Sequence, residues 1–297
     1  MSESSKDINA NSYDDVEHLA QIARNVTSRR PTIGVVCGSG LGKIAQMLDK
    51  PDILPYDSLP NFPVSTVAGH AGNFVFGELE GKTIVCMQGR VHPYEGYDFS
   101  KAALPIRVMK LLGIETLILT NAVGGLNRSY QTGDMVALKD HIFLPGLAGH
   151  SPLRGRNDER FGPRFLTMAN AYDRRLRKLA LETAKEVGVT LHEGVYIMCG
   201  GPQFETPAEN RFLRTLGGDV VGMSVAHETI VARHCGLNVL GLSLVTNMSE
   251  MKEADNDEVG ETPDVHAEVL EMGNQCADKA CGLVRAIIKK LPTTQSA

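Results

Sequence analysis

The chain reads as an α/β protein, a single domain built on a central, twisted, mixed β-sheet flanked by helices. Two observations predict this. Apolar runs of strand length alternate along the chain with longer segments of helical period, the order expected when helices cover both faces of a sheet. No low-complexity linker, internal repeat or shift in composition divides residues 1–297. A length of 297 residues is ample for one large core, and 42% apolar with 22% charged residues is ordinary globular usage.

Strands are predicted near 32–37, 73–79, 82–88, 116–121, 134–138, 192–198, 219–222 and 238–246. Helices are predicted near 14–29, 41–48, 100–112, 171–187, 207–216, 226–235 and 264–290. The last has the clearest pattern: Val265, Val269, Met272, Cys276, Ala280, Leu283 and Ile287 recur at three or four residues and make one apolar stripe that should dock along the sheet. Residues 1–12 and 292–297 are expected to be frayed tails. Two long connections, 145–165 and the acidic 249–262, have the length of lids or of segments that reach a neighbouring subunit.

A net charge of −5 without a long Lys/Arg block argues against nucleic-acid or membrane partners and leaves a small ligand as the expected one. No stretch approaches the apolar length of a membrane helix. The N-terminal MSESSKDINANSYDD is polar and acidic, which points to a cytoplasmic protein. Cys37, Cys86, Cys199, Cys235, Cys276 and Cys281 show no metal-ligand spacing, so they are expected as small hydrophobes, with no structural metal and no disulfide.

Six polar clusters stand where strands are predicted to end. Gly38-Ser39-Gly40-Leu41-Gly42 follows TIGVVC and opens a helix; its glycines admit an anion to the backbone, and Ser39 adds a hydroxyl. A tight turn without a ligand explains the same residues. Gln88-Gly89-Arg90-Val91-His92-Pro93-Tyr94-Glu95-Gly96 follows KTIVCM, and at period two Arg90 and His92 leave the same side of an extended chain, a guanidinium and an imidazole suited to a tetrahedral oxyanion. The alternative is a surface Arg with a capping His. Thr120-Asn121-Ala122-Val123-Gly124-Gly125 is expected to end its strand at a glycine turn, either an anion nest or an ordinary turn.

In Gly200-Gly201-Pro202-Gln203-Phe204-Glu205-Thr206-Pro207, Glu205 is placed to accept from a planar ring that Phe204 stacks on, unless it merely favours the start of a helix. Ser224 sits before the helix near 226–235, where capping alone would account for it, and Asn247 ends the last strand with both a donor and an acceptor.

The strings GSGLG, AGH with QGRVHPYEGY, NAVGGL, GPQFETPAE, VVGMS and SLVTN, in this order and spacing from about Ile33 to Leu270, resemble the trimeric purine nucleoside phosphorylases. The resemblance implies a nucleoside phosphorylase-like fold and a homotrimer that cleaves 6-oxopurine nucleosides with inorganic phosphate as co-substrate and no cofactor. It implies that Ser39, His70, Arg90, His92, the Ala122 N–H and Ser224 surround phosphate. By the same resemblance Tyr94 and His266 bond the ribose hydroxyls, Met223 lies under the sugar and Tyr196 borders it. Glu205, Asn247 and Phe204 hold the base, and Phe161 closes the pocket of an adjacent subunit. Asn247, Glu205 and His92 are the residues it marks as catalytic.

The chain departs from the family pattern in having Val225-Ala226 followed by His227 where many members carry Thr-Val, and in its acidic 249–262 stretch. Methylthioadenosine phosphorylases differ at the positions of Glu205 and Asn247, which argues against that reading. A nucleoside-binding protein with weakened turnover remains an alternative through Val225. A dinucleotide oxidoreductase would rest on the glycine-rich turn alone, whose third glycine is misplaced.

Overall fold

The computed structural model describes residues 8–67, 69–252 and 265–292. In chain order its elements are α1 (Tyr13–Val26), β1 (Ile33–Cys37), α2 (Lys43–Gln46), β2 (Asp49–Pro55), β3 (Asn73–Leu79), β4 (Lys82–Gln88), α3 (Phe99–Ala102), α4 (Leu104–Leu111), β5 (Thr116–Gly125), β6 (Met135–Phe143), α5 (Leu144–Leu147), α6 (Arg174–Glu186), β7 (Leu191–Met198), α7 (Pro207–Thr215), β8 (Val220–Gly222), α8 (Ala226–His234), β9 (Asn238–Met248) and α9 (Val265–Lys290).

The strands form one sheet in the order β2-β3-β4-β1-β5-β8-β7-β6-β9, and β9 pairs again with β5. Pairing is parallel for β1 with β4 and β5, for β5 with β9, and for β7 with β6 and β8. It is antiparallel for β2–β3, β3–β4, β5–β8 and β6–β9. The mixed sheet is therefore as expected, but half of it closes on itself: β5, β8, β7, β6 and β9 make a ring, which removes their free edges.

Alternation along β1 feeds two cores. Val36 joins one with residues of α1, α4 and α8, while Ile33, Val35 and Cys37 join the other with residues of α2, α6 and α9. Ala280, Leu283 and Ile287 of the α9 stripe are buried in the second core with Cys276 partly buried against it, so the helix docks as its pattern predicts.

The structure corrects several boundaries. The helix expected over 41–48 spans only Lys43–Gln46, and the chain then enters β2, a strand the sequence reading missed. Pro51 and Pro55 speak against a strand, yet β2 lies at the end of the sheet order, where a missing N–H costs little. Residues 8–12, expected as part of a frayed tail, are packed: Ala10 is buried, Ser12 accepts from Asp15 N at 3.4 Å as the cap of α1, and Arg107 Nη2 donates to Asn11 Oδ1 at 3.0 Å. Most of the expected 249–262 loop, and all of 1–7 and 293–297, lie outside the described residues.

Candidate active site

The ends of β1, β4, β5, β8 and β9 converge on one cleft. Ser39, Arg90, His92, Ala122 and Ser224 line it together with Tyr94, Phe204, Glu205, Met223, Asn247 and His266, so residues spread over most of the chain meet around a single space. Two glycines make the approach possible. A Cβ on Gly38 would stand 2.5 Å from Thr120 O, and one on Gly201, whose φ is +66°, would stand 2.4 Å from Met223 Sδ.

The polar half of the cleft is a relay of oriented groups. Arg90 is buried, and its Nε and Nη2 donate to Glu228 Oε1 and Oε2 at 2.8 and 2.9 Å while Nη1 donates to Thr120 O at 3.0 Å. One N–H on each terminal nitrogen remains for a ligand. The Arg90 backbone N–H donates to His70 Nδ1 at 2.8 Å, which puts the proton of a neutral His70 on Nε2, 3.3 Å from Ser39 Oγ. With its oxygen accepting from His70, the Ser39 hydroxyl is left to donate into the cleft. Burial first, then repulsion from a protonated His92 and from Arg90, pulls the His70 pKa down to about 3, so this arrangement holds at neutral pH.

His92 makes its own contact on the other side, with Nδ1 3.4 Å from Glu95 Oε2, and Tyr94 stacks on its ring at 4.7 Å. Burial lowers the His92 pKa. Burial also opposes ionisation of Glu95, but hydrogen bonds from His92 and Thr66 outweigh it and hold the carboxyl at about 2. The carboxylate thus fixes the His92 tautomer and leaves Nε2 for a ligand.

The other half of the cleft sets an aromatic ring, a carboxylate and an amide side by side in Phe204, Glu205 and Asn247. Phe204 is partly exposed, and burial raises the pKa of Glu205 beside it. One Glu205 oxygen, Oε1, is buried without a hydrogen-bond partner. Helix capping does not explain this carboxylate, because Thr206 and Glu209 already form the reciprocal capping box of α7. Asn247 lies on β9 opposite Gly124 of β5, and its Oδ1 is 3.3 Å from Thr246 Oγ1. The same hydroxyl is also 3.3 Å from Val123 O, and where it donates to Asn247 the amide nitrogen is the group left to donate elsewhere.

Several expectations change. Tyr196 does not border the cleft: it is fully buried, donates to Ser224 O at 2.7 Å and accepts from Ser224 N at 3.0 Å. His70 stands behind Ser39 rather than lining the cleft, because Arg90 and Ser39 occupy its two nitrogens. Ser224 is not a side-chain cap, since the cap position of α8 falls on Val225. The NAVGG segment is not a turn: β5 continues through it to Gly125, paired with β8 and β9. Phe161 lies outside this chain's cleft, its ring 5.1 Å from Tyr13 and 4.2 Å from the Arg107 guanidinium. Cys199 is only half-buried: it packs against the small core of Leu126, Ile197, Leu213 and Val221, as expected of a small hydrophobe, and also lies beside Glu205.

Sequence reasoning missed Glu228 and the Thr120 side chain. Thr120 Oγ1 donates to Val36 O at 2.7 Å and accepts from Gly38 N at 3.1 Å, pinning the glycine loop. The polar Thr that closes the apolar run ETLILT is the available signal.

The fold and the two-ended cleft define a phosphorylase-type α/β protein, and residues 32–289 match the model of the phosphorylase superfamily. Bovine purine nucleoside phosphorylase is 49% identical over 288 residues, covering 96% of this chain and 98% of its own length. A crystal structure of Schistosoma mansoni purine nucleoside phosphorylase in complex with inosine superposes with a TM-score of 0.90 at 48% identity, covering 97% of this chain and 99% of that one. The same score, at 49% identity and 97% and 100% coverage, is found for the Schistosoma mansoni enzyme in complex with adenosine. The chain belongs to the purine nucleoside phosphorylase family.

Proposed function

We propose that this chain catalyses the reversible phosphorolysis of inosine, guanosine and their 2′-deoxy forms, releasing the free purine and (deoxy)ribose 1-phosphate in purine salvage. One observation carries the reading: Ser39, Arg90, His92 and Ser224 share a single cleft with Phe204, Glu205 and Asn247. The first group suits a phosphate and the second a purine, with Tyr94, Met223 and His266 between them for the sugar. The reaction needs no cofactor, because phosphate is itself the nucleophile.

As the bond from C1′ to N9 lengthens, its electron pair moves into the purine and the sugar becomes oxocarbenium-like. Asn247 stabilises the purine at N7 and O6, Glu205 accepts from N1–H, and phosphate held by Arg90, Ser39, His92 and Ser224 attacks C1′. Polar groups fixed before reaction supply the stabilisation, with no covalent intermediate on the protein. A 6-oxopurine satisfies Glu205, whereas adenine presents a bare N1 to it. Because the Schistosoma relative is found with adenosine bound, we place the discrimination in turnover rather than in access to the cleft.

The working form is proposed to be a cytoplasmic homotrimer. Phe165 and Leu147, 91% and 80% exposed, flank an apolar cavity lined by Phe143, Leu153 and Met168, a surface suited to a second copy. Phe161, in the same connection, would reach a neighbour's cleft by leaving Tyr13 and Arg107. Six free cysteines fit a reducing compartment.

The test is an assay of inosine with and without phosphate. Hypoxanthine and ribose 1-phosphate should appear together and only with phosphate. Release in water alone, or none from folded protein at any phosphate concentration, overturns the reading.

A further inference from the structure

Ser224 is followed by an unusual backbone. Val225 has φ +66° and ψ −50°, and Ala226 N donates to Ser224 O at 2.7 Å, which closes a three-residue γ-turn of the strained hand around a β-branched residue. Val225 is fully buried and no side-chain cap holds it. The following helix begins at once, with Thr229 N bonded to Val225 O at 2.7 Å. Something outside the turn must oppose its tendency to relax.

The Tyr196 hydroxyl is placed to do so. It donates to Ser224 O at 2.7 Å, the same oxygen that closes the turn, and accepts from Ser224 N at 3.0 Å. Both backbone groups of Ser224 are thereby fixed from β7, the strand beside β8, with Tyr196 paired to Val220. Gly222 makes room for this contact, since a Cβ there would come 3.1 Å from the hydroxyl. Burial raises the Tyr196 pKa and keeps the phenol protonated as a donor.

We propose that Tyr196 is a positioning residue for phosphate: its hydroxyl clamps the Val225 γ-turn and so holds Ser224 against the anion. The proposal rests on the phosphate site proposed above. The clamp also sets the register of α8, whose first turn carries Glu228 to Arg90, so one hydroxyl coordinates two phosphate ligands. A sugar contact, the role the family resemblance implied, would leave the phosphate requirement alone.

The experiment compares Tyr196→Phe with the wild type by the KM for phosphate, the Kd for hypoxanthine without phosphate, and the melting temperature. The expected result is a rise of about tenfold in the KM for phosphate with the Kd for hypoxanthine changed less than about twofold. An unchanged KM for phosphate, or phosphate and base affinities falling by the same factor, overturns the proposal. Val225→Gly supplies the second arm, because glycine takes this φ without strain and needs less clamping. In that background Tyr196→Phe should raise the KM by no more than about threefold, and an equal penalty in both backgrounds overturns the proposal. Should Tyr196→Phe alone fail to fold, the double variant must fold; an unfolded double variant is equally decisive against the clamp. Ser39→Ala and Arg90→Ala separate the two failures. If neither raises the KM for phosphate, the phosphate site itself is wrong, whereas a rise in both with none in Tyr196→Phe refutes only the clamp.

Discussion

Arg90 and Glu228 meet as a two-pronged ion pair, Nε to Oε1 at 2.8 Å and Nη2 to Oε2 at 2.9 Å, with side chains 1% and 0% exposed. Burial opposes ionisation of Glu228, but the Arg90 charge and hydrogen bonds overcome it and lower its pKa. The cation that faces the cleft is thus already neutralised from behind, and its directed N–H groups matter more than net charge.

Removing Glu228 strands the guanidinium in a buried setting. Glu228→Ala should therefore cost about 3–5 kcal/mol of stability, read from urea unfolding. Glu228→Gln keeps the shape but faces one Arg90 N–H with an amide N–H, so the KM for phosphate should rise in a folded protein. A wild-type KM in that variant would mean that the fork does not orient Arg90.

The proposed roles put base recognition and phosphate binding on different residues, so the two should be separable. Glu205→Gln should lower kcat/KM for inosine by about 10²-fold or more while the KM for phosphate changes little, because the ring N–H loses its anionic acceptor. Asn247→Asp should lower inosine turnover and raise adenosine turnover, since a protonated carboxyl donates to N7 while its carbonyl accepts from the 6-amino group. Steady-state assays on both nucleosides check this; an unchanged ratio speaks against the role given to Asn247.

The apolar face around Phe165 and Leu147 predicts that a charge there disrupts assembly. If the proposed trimer forms through this face, Phe165→Glu combined with Leu147→Glu should shift sedimentation toward the monomer and raise the KM for inosine, because Phe161 of a neighbouring copy would no longer close the cleft. A variant that remains trimeric would move the interface elsewhere.

What the sequence made legible was local. The α9 stripe, the strand before Ser39 and the strand before Arg90 follow from apolar period and from polar residues placed just after it. What it hid was non-local. The NAVGG run looked like a turn because its glycines carry no side chain to show a pattern, but β9 and β8 hold it as strand. Glu228 carries no local mark beyond an acidic residue in the first turn of a helix, because its partner Arg90 lies 138 residues earlier. Tyr196 likewise gained its role from Ser224, 28 residues later, through hydrogen bonds that no periodicity encodes.

Buried neutral histidines predict how stability depends on pH. Burial lowers the pKa of His70, His92, His141, His227 and His234, with His70 at about 3 and His227 at about 4. In the unfolded chain each titrates near 6.5, so between these values the unfolded state binds more protons than the folded state. Their contribution is therefore complete above about pH 7 and is lost as pH falls, by up to about 1.4 kcal/mol per pH unit for each group. His227 isolates the effect, because it is fully buried with both ring nitrogens unpartnered and its ring 5.6 Å from Phe99. His227→Leu removes one proton uptake from the unfolding reaction. Urea unfolding measured from pH 8 to pH 5 should show a shallower decline for the variant, which gains on the wild type as the solution becomes more acidic. Parallel curves for the two proteins would show that His227 is not held neutral by its burial.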